Sequence, residues 1–230
     1  PPQALPAGKK LAVGLTAPPH SAIPYPAGMA IISDGGHDKL LVANNLSDNV
    51  VLLDVASGKI LQTFDLTTND LVPSSFPYTV IATHDGRRAW CSLWNASQVA
   101  ELDLANGKVA GWIKLKQPQD PLAPGSHPTA MLLSPDEKTL YVALSNLDQV
   151  AEVSTADGTV SGFLSTASPA QKFSGTDPTA LAQSSDGKYL FVATSSLDAV
   201  AVFDTSPAPS GSNSQAAQPA LGFIPTDWYP

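Results

Sequence analysis

The sequence predicts an all-β fold, a β-propeller of four-stranded antiparallel blades. Three observations carry this prediction: two landmarks with the same period, and the turn residues that separate short apolar runs. An X-Pro pair recurs with spacings of 51, 51, 50 and 52 residues, and a valine recurs with spacings of 49, 51 and 50. The pairs are Tyr25-Pro26, Phe76-Pro77, His127-Pro128, Asp177-Pro178 and Tyr229-Pro230, and the valines are Val50, Val99, Val150 and Val200. A four-stranded unit repeated at this period is typical of propeller blades.

Each period contains four short strands, named a to d outward from the central axis. In the first period they occupy residues 29–32, 39–43, 49–54 and 60–64. The turns between strands contain pairs such as Asp85-Gly86, because aspartate can bond its own backbone and glycine adopts a positive φ without strain. A helical period of apolar residues is not sustained anywhere along the chain. The repeat therefore consists of strands and turns.

The repeats also predict the domain organisation. We expect a propeller over residues 23–230, with blades at about 26–75, 76–126, 127–176 and 177–228. Residues 1–22 would form an N-terminal extension with one possible extra strand, and residues 229–230 would begin a fifth blade. The four blades are therefore expected to be part of a larger propeller of about seven blades. A polar insertion at residues 205–220, between strands c and d of the fourth blade, is expected to be a mobile loop.

Charge and cysteine content exclude several classes of function. The chain has 12 basic and 20 acidic residues and a formal net charge of −8, which argues against a nucleic-acid partner held through its phosphates. The single cysteine, Cys91, excludes an intrachain disulfide framework and multi-cysteine zinc or haem motifs. No apolar stretch reaches the ~18 residues of a membrane-spanning helix. The low share of charged residues, 14%, is expected if neighbouring blades cover both faces of each sheet.

Candidate ligand-binding residues gather on one rim of the predicted propeller. Because the strands alternate in direction, the d–a and b–c loops share one rim, and the a–b and c–d loops share the other. Aromatic and amide side chains on the first rim predict a pocket for a small polar ligand or a protein partner. These residues are Tyr25, Asn44, Asn45, Phe76, Tyr78, Trp94, Asn95, His127, Asn146, Asp177, Trp228 and Tyr229. An alternative stays open, in which the X-Pro pairs set the turns and the asparagines stabilise the b–c loops.

No residue pattern predicts catalysis, a metal or a cofactor. Asp54, Asp103 and Asp204 recur after strand c, which indicates turn stabilisation, since a reaction needs its carboxylates only once. Cys91 lies in the middle of a strand and is expected to be a small buried residue. His127 could bind a metal or an anion, but the sequence does not indicate the three or four converging ligands of a metal site. We therefore expect a chain that is not an enzyme and has no cofactor.

Two repeats resemble the YVTN-repeat, YncE-like β-propeller family. The matching residues are 140–143 with 146–153, and 41–45 with 48–54. A narrower likeness, carried by residues 92–95, 99–104 and 222–230, is to exported bacterial proteins in which such a propeller precedes an alkaline-phosphatase-type phosphoesterase domain. The resemblance implies a propeller fold, a periplasmic or secreted bacterial location, and a catalytic domain that would lie after residue 230.

The function expected from these observations is that of a non-catalytic binding module. It would recognise a small polar ligand or a protein partner on the rim of the d–a and b–c loops. Further blades or a downstream domain of the same polypeptide would be its other partners. A second hypothesis makes it the accessory domain of a metal-dependent phosphoesterase, and a weaker one makes it the propeller of a redox metalloenzyme. Fold alone does not decide among them.

Overall fold

The computed structural model describes residues 24–33, 35–68, 74–118, 123–169, 171–206 and 217–228. The N-terminal extension predicted at residues 1–22 and the fifth blade predicted to begin at residues 229–230 lie outside them. The described chain is built of strands, with one short 3-10 helix at Asn45–Ser47. The prediction of an all-β fold is confirmed.

Four sheets follow one another along the chain, and each is one blade. Blade 1 contains β1 (Pro26–Ile32), β2 (Lys39–Asn44), β3 (Asn49–Asp54) and β4 (Ile60–Asp65). Blade 2 contains β5 (Pro77–Ala82), β6 (Arg88–Leu93), β7 (Gln98–Asp103) and β8 (Lys108–Lys114). Blade 3 contains β9 (Pro128–Leu133), β10 (Thr139–Leu144), β11 (Gln149–Ser154) and β12 (Val160–Ser165). Blade 4 contains β13 (Pro178–Gln183), β14 (Tyr189–Thr194), β15 (Ala199–Asp204) and β17 (Gly222–Pro225).

The strands of each blade pair in chain order and antiparallel, as predicted. The first strands of successive blades contact one another, β1 with β5, β5 with β9 and β9 with β13. The first strand is therefore strand a, the strand nearest the axis, and the remaining three strands extend outward.

A proline opens strand a in every blade, and its register with strand b is interrupted close to that proline. Proline at the first strand position removes no ladder hydrogen bond. The preceding residue has a positive φ in three blades: 50° at Phe76, 48° at His127 and 51° at Asp177. Such a backbone costs on the order of 1–3 kcal/mol for a residue with a side chain. Contacts from neighbouring loops must therefore hold these three residues in place.

The hydrophobic core lies between the blades. Successive blades share clusters that contain Leu41 with Leu102, Trp90 with Leu140, and Leu164 with Phe203. These side chains are almost completely buried, and burying one such side chain is worth about 1.5–3 kcal/mol. Since both faces of an inner blade are covered in this way, charged residues are left mainly to the loops.

The last part of the predicted insertion at residues 205–220 forms a strand, so the prediction of a mobile loop is wrong there. Two of its residues form β16 (Gln218–Pro219), which pairs in parallel with the outer edge of blade 3, at Leu164 and Ser165. The Gln218 side-chain amide also donates to the Asp204 carbonyl over 3.0 Å. The end of the insertion is thus attached to two blades.

The loops form two rims. The d–a rim comprises the residues between strands d and a, together with the b–c loops at residues 45–48, 94–97, 145–148 and 195–198. The a–b rim comprises the a–b loops and the c–d loops at the opposite ends of the strands. In the part of the chain that is described, no helix has the length and apolar character needed to cross a membrane.

Candidate functional site

The residues that precede the strand-a prolines are fixed on the d–a rim by backbone hydrogen bonds. The amide that follows strand b donates to the carbonyl of this residue in each blade. The pairs are Asn45 to Tyr25 at 2.8 Å, Trp94 to Phe76 at 3.0 Å, Ser145 to His127 at 3.2 Å and Ser195 to Asp177 at 3.1 Å. Each blade therefore presents one such side chain at an equivalent place on the rim.

An aromatic cluster spans the boundary between blades 2 and 3 on this rim. The indole of Trp94 stacks on the imidazole of His127, with ring centroids 4.0 Å apart and an interplanar angle of 22°. The Phe76 ring lies 6.4 Å from Trp94 in a tilted arrangement. His127 is half-buried, and this burial lowers the pKa of its imidazole below the ordinary 6.5. The imidazole is therefore neutral at pH 7 and has a nitrogen lone pair that can accept a proton.

A buried carboxylate holds the loop that leads to Phe76. Asp48 accepts hydrogen bonds from the backbone amides of Ser74 at 2.6 Å, Ser75 at 3.2 Å and Phe76 at 3.0 Å. At the equivalent position in blade 2, the Ser97 hydroxyl accepts from the Ser126 amide at 2.9 Å, directly before His127. The b–c loop of one blade thus orients the d–a loop of the next.

Asp148 repeats this arrangement between blades 3 and 4. Its carboxylate accepts from the amides of Gly175 at 2.8 Å and Thr176 at 2.6 Å, and its side chain is buried. Sequence reasoning did not assign a role to Asp48 and Asp148. The signal was present, because each lies two residues before a valine of the 50-residue landmark.

The four predicted asparagines hold loops through their side chains. Asn95 donates to the Ser74 carbonyl at 3.0 Å and Asn146 to the Gly125 carbonyl at 2.9 Å. Asn45 donates to the Pro77 carbonyl of the next blade at 3.2 Å, and the buried Asn44 donates to Asn49 at 2.8 Å. These contacts give the asparagines structural roles: Asn44 bonds across its b–c turn, and the other three join a b–c loop to a d–a loop or to strand a of the next blade.

The remaining predicted residues lie apart from the aromatic cluster or outside the described chain. Tyr25, Tyr78 and Trp228 are exposed, Trp228 at 89%. Asp177 is half-buried at the position in blade 4 that corresponds to His127. Tyr229 lies outside the described residues. The structure therefore brings together Phe76, Trp94 and His127.

The turn aspartates and Cys91, which were also considered from the sequence, have structural roles. Asp54, Asp103 and Asp204 each accept the amide of a residue in the following turn, from Ser57 at 2.7 Å, Asn106 at 3.0 Å and Ser206 at 2.8 Å. Hydrogen bonds from the side chains of Ser57, Asn106 and Ser206 lower the pKa of the three carboxyls most, and the backbone hydrogen bonds lower it further. Cys91 is fully buried, and this burial raises the pKa of its thiol. Within the described ranges, no three histidine, cysteine or acidic side chains are grouped so as to bind a metal.

Comparison with known families decides what kind of propeller this is. The model of the family described as lactonase, 7-bladed beta-propeller matches residues 113–227, half of the chain. The chain belongs to this lactonase family. The prediction that the blades are of a propeller with about seven blades agrees with the family's fold. No curated protein matches the chain.

Solved structures with the same fold include several larger propellers. Kuenenia stuttgartiensis hydrazine synthase aligns with a TM-score of 0.66 at 20% identity, over 89% of this chain and 50% of that one. The Pseudomonas aeruginosa periplasmic gluconolactonase aligns with a TM-score of 0.65 at 22% identity, over 88% of this chain and 55% of that one. Virginiamycin B lyase from Staphylococcus aureus aligns with a TM-score of 0.61 at 17% identity, over 80% of this chain and 56% of that one. The lactonase-family chain thus spans about half the length of these proteins.

The family assignment overturns two predictions. The chain was expected to be a non-catalytic binding module and not an enzyme, whereas its family is named for lactonases, which are enzymes. That expectation was wrong because it rested on the absence of short catalytic motifs. In a propeller, rim residues from separate blades form a site, and no short motif records their proximity.

Proposed function

We propose that this lactonase-family propeller hydrolyses a lactone at the d–a rim. The observation that carries the proposal is the stack of Trp94 on His127, which places a neutral, half-buried imidazole beside an aromatic surface. His127 would be the general base, and Trp94 with Phe76 would contact the apolar side of the lactone ring. Because the chain spans about half the length of the solved structures that it resembles, the activity of the whole protein is part of the proposal.

The reaction needs a proton acceptor but no redox step. Water adds to the lactone carbonyl carbon while the imidazole of His127 accepts the water proton. The bond between the acyl carbon and the ring oxygen then breaks, the ring oxygen takes up that proton from the imidazolium of His127, and a hydroxy acid and a neutral imidazole are formed. A positioned general base contributes about 10²–10⁴-fold to such a step, and the lowered pKa of His127 keeps it in the accepting form at neutral pH.

We further propose a small, polyhydroxylated lactone as the substrate and the bacterial periplasm or exterior as the location. The fold shared with a periplasmic gluconolactonase supports both. The YVTN-type, YncE-like character of the repeats belongs to the same proposal, since residues 140–153 carry that resemblance within the segment that the lactonase family matches.

Acid release from glucono-δ-lactone in a pH-stat tests the function, after subtraction of the spontaneous rate. We expect turnover by the chain and a loss in kcat/KM of about 100-fold for His127→Asn. The matched control is His84→Asn, because the exposed His84 lies on the a–b rim. Wild-type activity should decline only as the pH falls below 6.5, where the imidazole becomes protonated. Turnover no faster than the spontaneous rate, or equal rates for His127→Asn and wild type, would refute the proposal.

A further inference from the structure

An arginine joins blades 2 and 3 on the a–b rim. The Arg88 guanidinium donates to the Glu101 carboxylate over 3.0 and 2.8 Å, and it donates to the Thr155 carbonyl of blade 3 over 2.5 Å. It also lies 4.7 Å from the ring centroid of Trp90. A carboxylate, a carbonyl and an aromatic ring thus surround one guanidinium.

The boundary between blades 3 and 4 repeats this environment without the arginine. Strand pairing places Tyr141 opposite Glu152, as it places Trp90 opposite Glu101. Thr205 corresponds to Thr155, since each donates its amide to the a–b loop of its own blade. The position of Arg88 is taken by Thr139, which faces Ser154 as Arg88 faces Asp103. Threonine is too short to reach the neighbouring blade.

A cavity occupies this boundary. Its volume is about 590 Å³, and it is lined by residues of blades 3 and 4 that include Thr139, Tyr141, Glu152, Gln183 and Thr205. Glu152 is half-buried, and the loss of solvent raises the pKa of its carboxyl. The Gln183 side-chain oxygen is buried and has no hydrogen-bond partner among the described residues. The cavity wall therefore contains one buried oxygen acceptor, that of Gln183, without a donor among the described residues, and the half-buried carboxyl of Glu152 lines the same cavity.

The charge of the wall favours a cation. Among the described residues that line it, four carry carboxylates, Asp136, Glu152, Asp186 and Asp204, and one, Lys138, carries a positive charge. Lys138 lies 3.3 Å from Asp136. Lys188 lies near Asp186 and Asp204 and partly balances their charge.

We propose that this cavity binds a guanidinium group, carried by a small molecule of the size of arginine. The guanidinium would occupy the place that Arg88 fills one blade earlier, donating to Glu152 and to the Thr205 carbonyl and lying against the Tyr141 ring. Residues 207–216, which the structure does not describe, contain no lysine or arginine, so they cannot supply the cation. The site lies on the rim opposite to His127 and does not depend on the lactonase proposal.

Calorimetric titration with arginine amide tests the site. Citrulline amide, whose side chain has nearly the same shape but no charge, serves as the second probe, and a short peptide with one internal arginine as the third. We expect arginine amide to bind at least tenfold more tightly than citrulline amide, and Glu152→Gln to remove this preference. Tighter binding of the peptide would assign the guanidinium to a protein partner. Equal binding of the arginine and citrulline probes would overturn the proposal.

Two glycines offer a matched pair of variants. A Cβ at Gly162 would lie 2.7 Å from Glu152 Oε2, whereas a Cβ at the equivalent Gly111 meets nothing within 4 Å. Gly162→Ala should therefore displace the carboxylate and weaken arginine amide binding, whereas Gly111→Ala should leave the affinity unchanged. Equal affinities for the two variants would contradict the role of Glu152.

The substitution Thr139→Arg tests the repeat argument directly. The new side chain should occupy the cavity as Arg88 does, raise the melting temperature and abolish binding of arginine amide. A folded Thr139→Arg variant that binds arginine amide like wild type would overturn the proposal. This readout remains decisive even if Glu152→Gln fails to fold.

Discussion

The buried carboxylates of Asp48 and Asp148 tie the d–a rim together, one residue at a time. Each accepts several backbone amides from the loop of the following blade. Ser75 and Thr176 are buried, so their amides depend on the carboxylate for a partner. A hydrogen bond to a charged acceptor is worth about 1.5–3 kcal/mol. A single side chain thus fixes the backbone that presents a residue such as Phe76.

Replacing Asp148 with alanine should reveal this dependence. We expect Asp148→Ala to lower the free energy of unfolding by about 2–3 kcal/mol, because the Gly175 and Thr176 amides lose their acceptor. Thermal unfolding followed by circular dichroism measures the effect. Asp157→Ala is the control, since Asp157 is exposed and bonds within its own turn. A melting temperature for Asp148→Ala as high as that of the control would show that the loop does not rely on the carboxylate.

Strand a of blade 1 packs closely against strand a of blade 2 at Gly28. A Cβ at Gly28 would lie 2.4 Å from the Tyr78 carbonyl oxygen and 2.8 Å from the Thr79 Cα. Both atoms belong to the backbone of β5, which cannot move aside as a flexible side chain would. The absence of a side chain at Gly28 therefore sets how closely β1 and β5 approach at the axis.

Gly28→Ala should force these two strands apart. We expect a loss of about 1–3 kcal/mol in the free energy of unfolding, the usual cost of overpacking, read as a lower midpoint in urea. Gly222→Ala in strand d of blade 4 is the comparison, because a Cβ there meets nothing within 4 Å. If the two variants unfold at the same urea concentration, the contact between β1 and β5 is looser than described.

The asymmetry of the two rims is a property of the whole molecule. The a–b rim has turn aspartates whose pKa values are lowered by hydrogen bonds to nearby hydroxyl, amide and backbone N–H groups. They are Asp54, Asp85, Asp103, Asp136, Asp157, Asp186 and Asp204. The d–a rim instead carries the aromatic cluster and the half-buried His127. The turn aspartates with lowered pKa values thus lie at one end of the blades, and the aromatic cluster lies at the other.

The lowered pKa values of these turn aspartates predict that the stability of the fold depends on acid pH. A carboxyl whose pKa is lower in the folded state stabilises the fold above its unfolded value of 3.8, and this contribution is lost as the pH falls through the folded value. We expect the melting temperature to decline steeply below pH 3.8 as the turn aspartates are protonated. The double variant Asp136→Asn/Asp186→Asn should show a shallower decline. A melting temperature that stays constant from pH 4 to pH 2 would contradict this expectation.

The candidate site was predictable in part. The repeat placed Phe76 and His127 on one rim, because each precedes the proline of strand a, and it placed Trp94 beside them at the end of strand b. The stacking of Trp94 on His127 was not predictable, since it depends on how two blades pack across a boundary. The asparagines looked like ligand-binding groups, but backbone carbonyls close enough to accept from them exist only in the folded loops.

The sequence by itself determined the all-β class, the four strands of each blade and the turns that join them. These features follow from local alternation, turn residues and a period of about 50 residues. The tertiary structure alone decided which side chains meet between blades: His127 with Trp94, Arg88 with Thr155, and the cavity beside Glu152. Such contacts join residues that are far apart in the chain, so they arise only when radial packing brings neighbouring blades together.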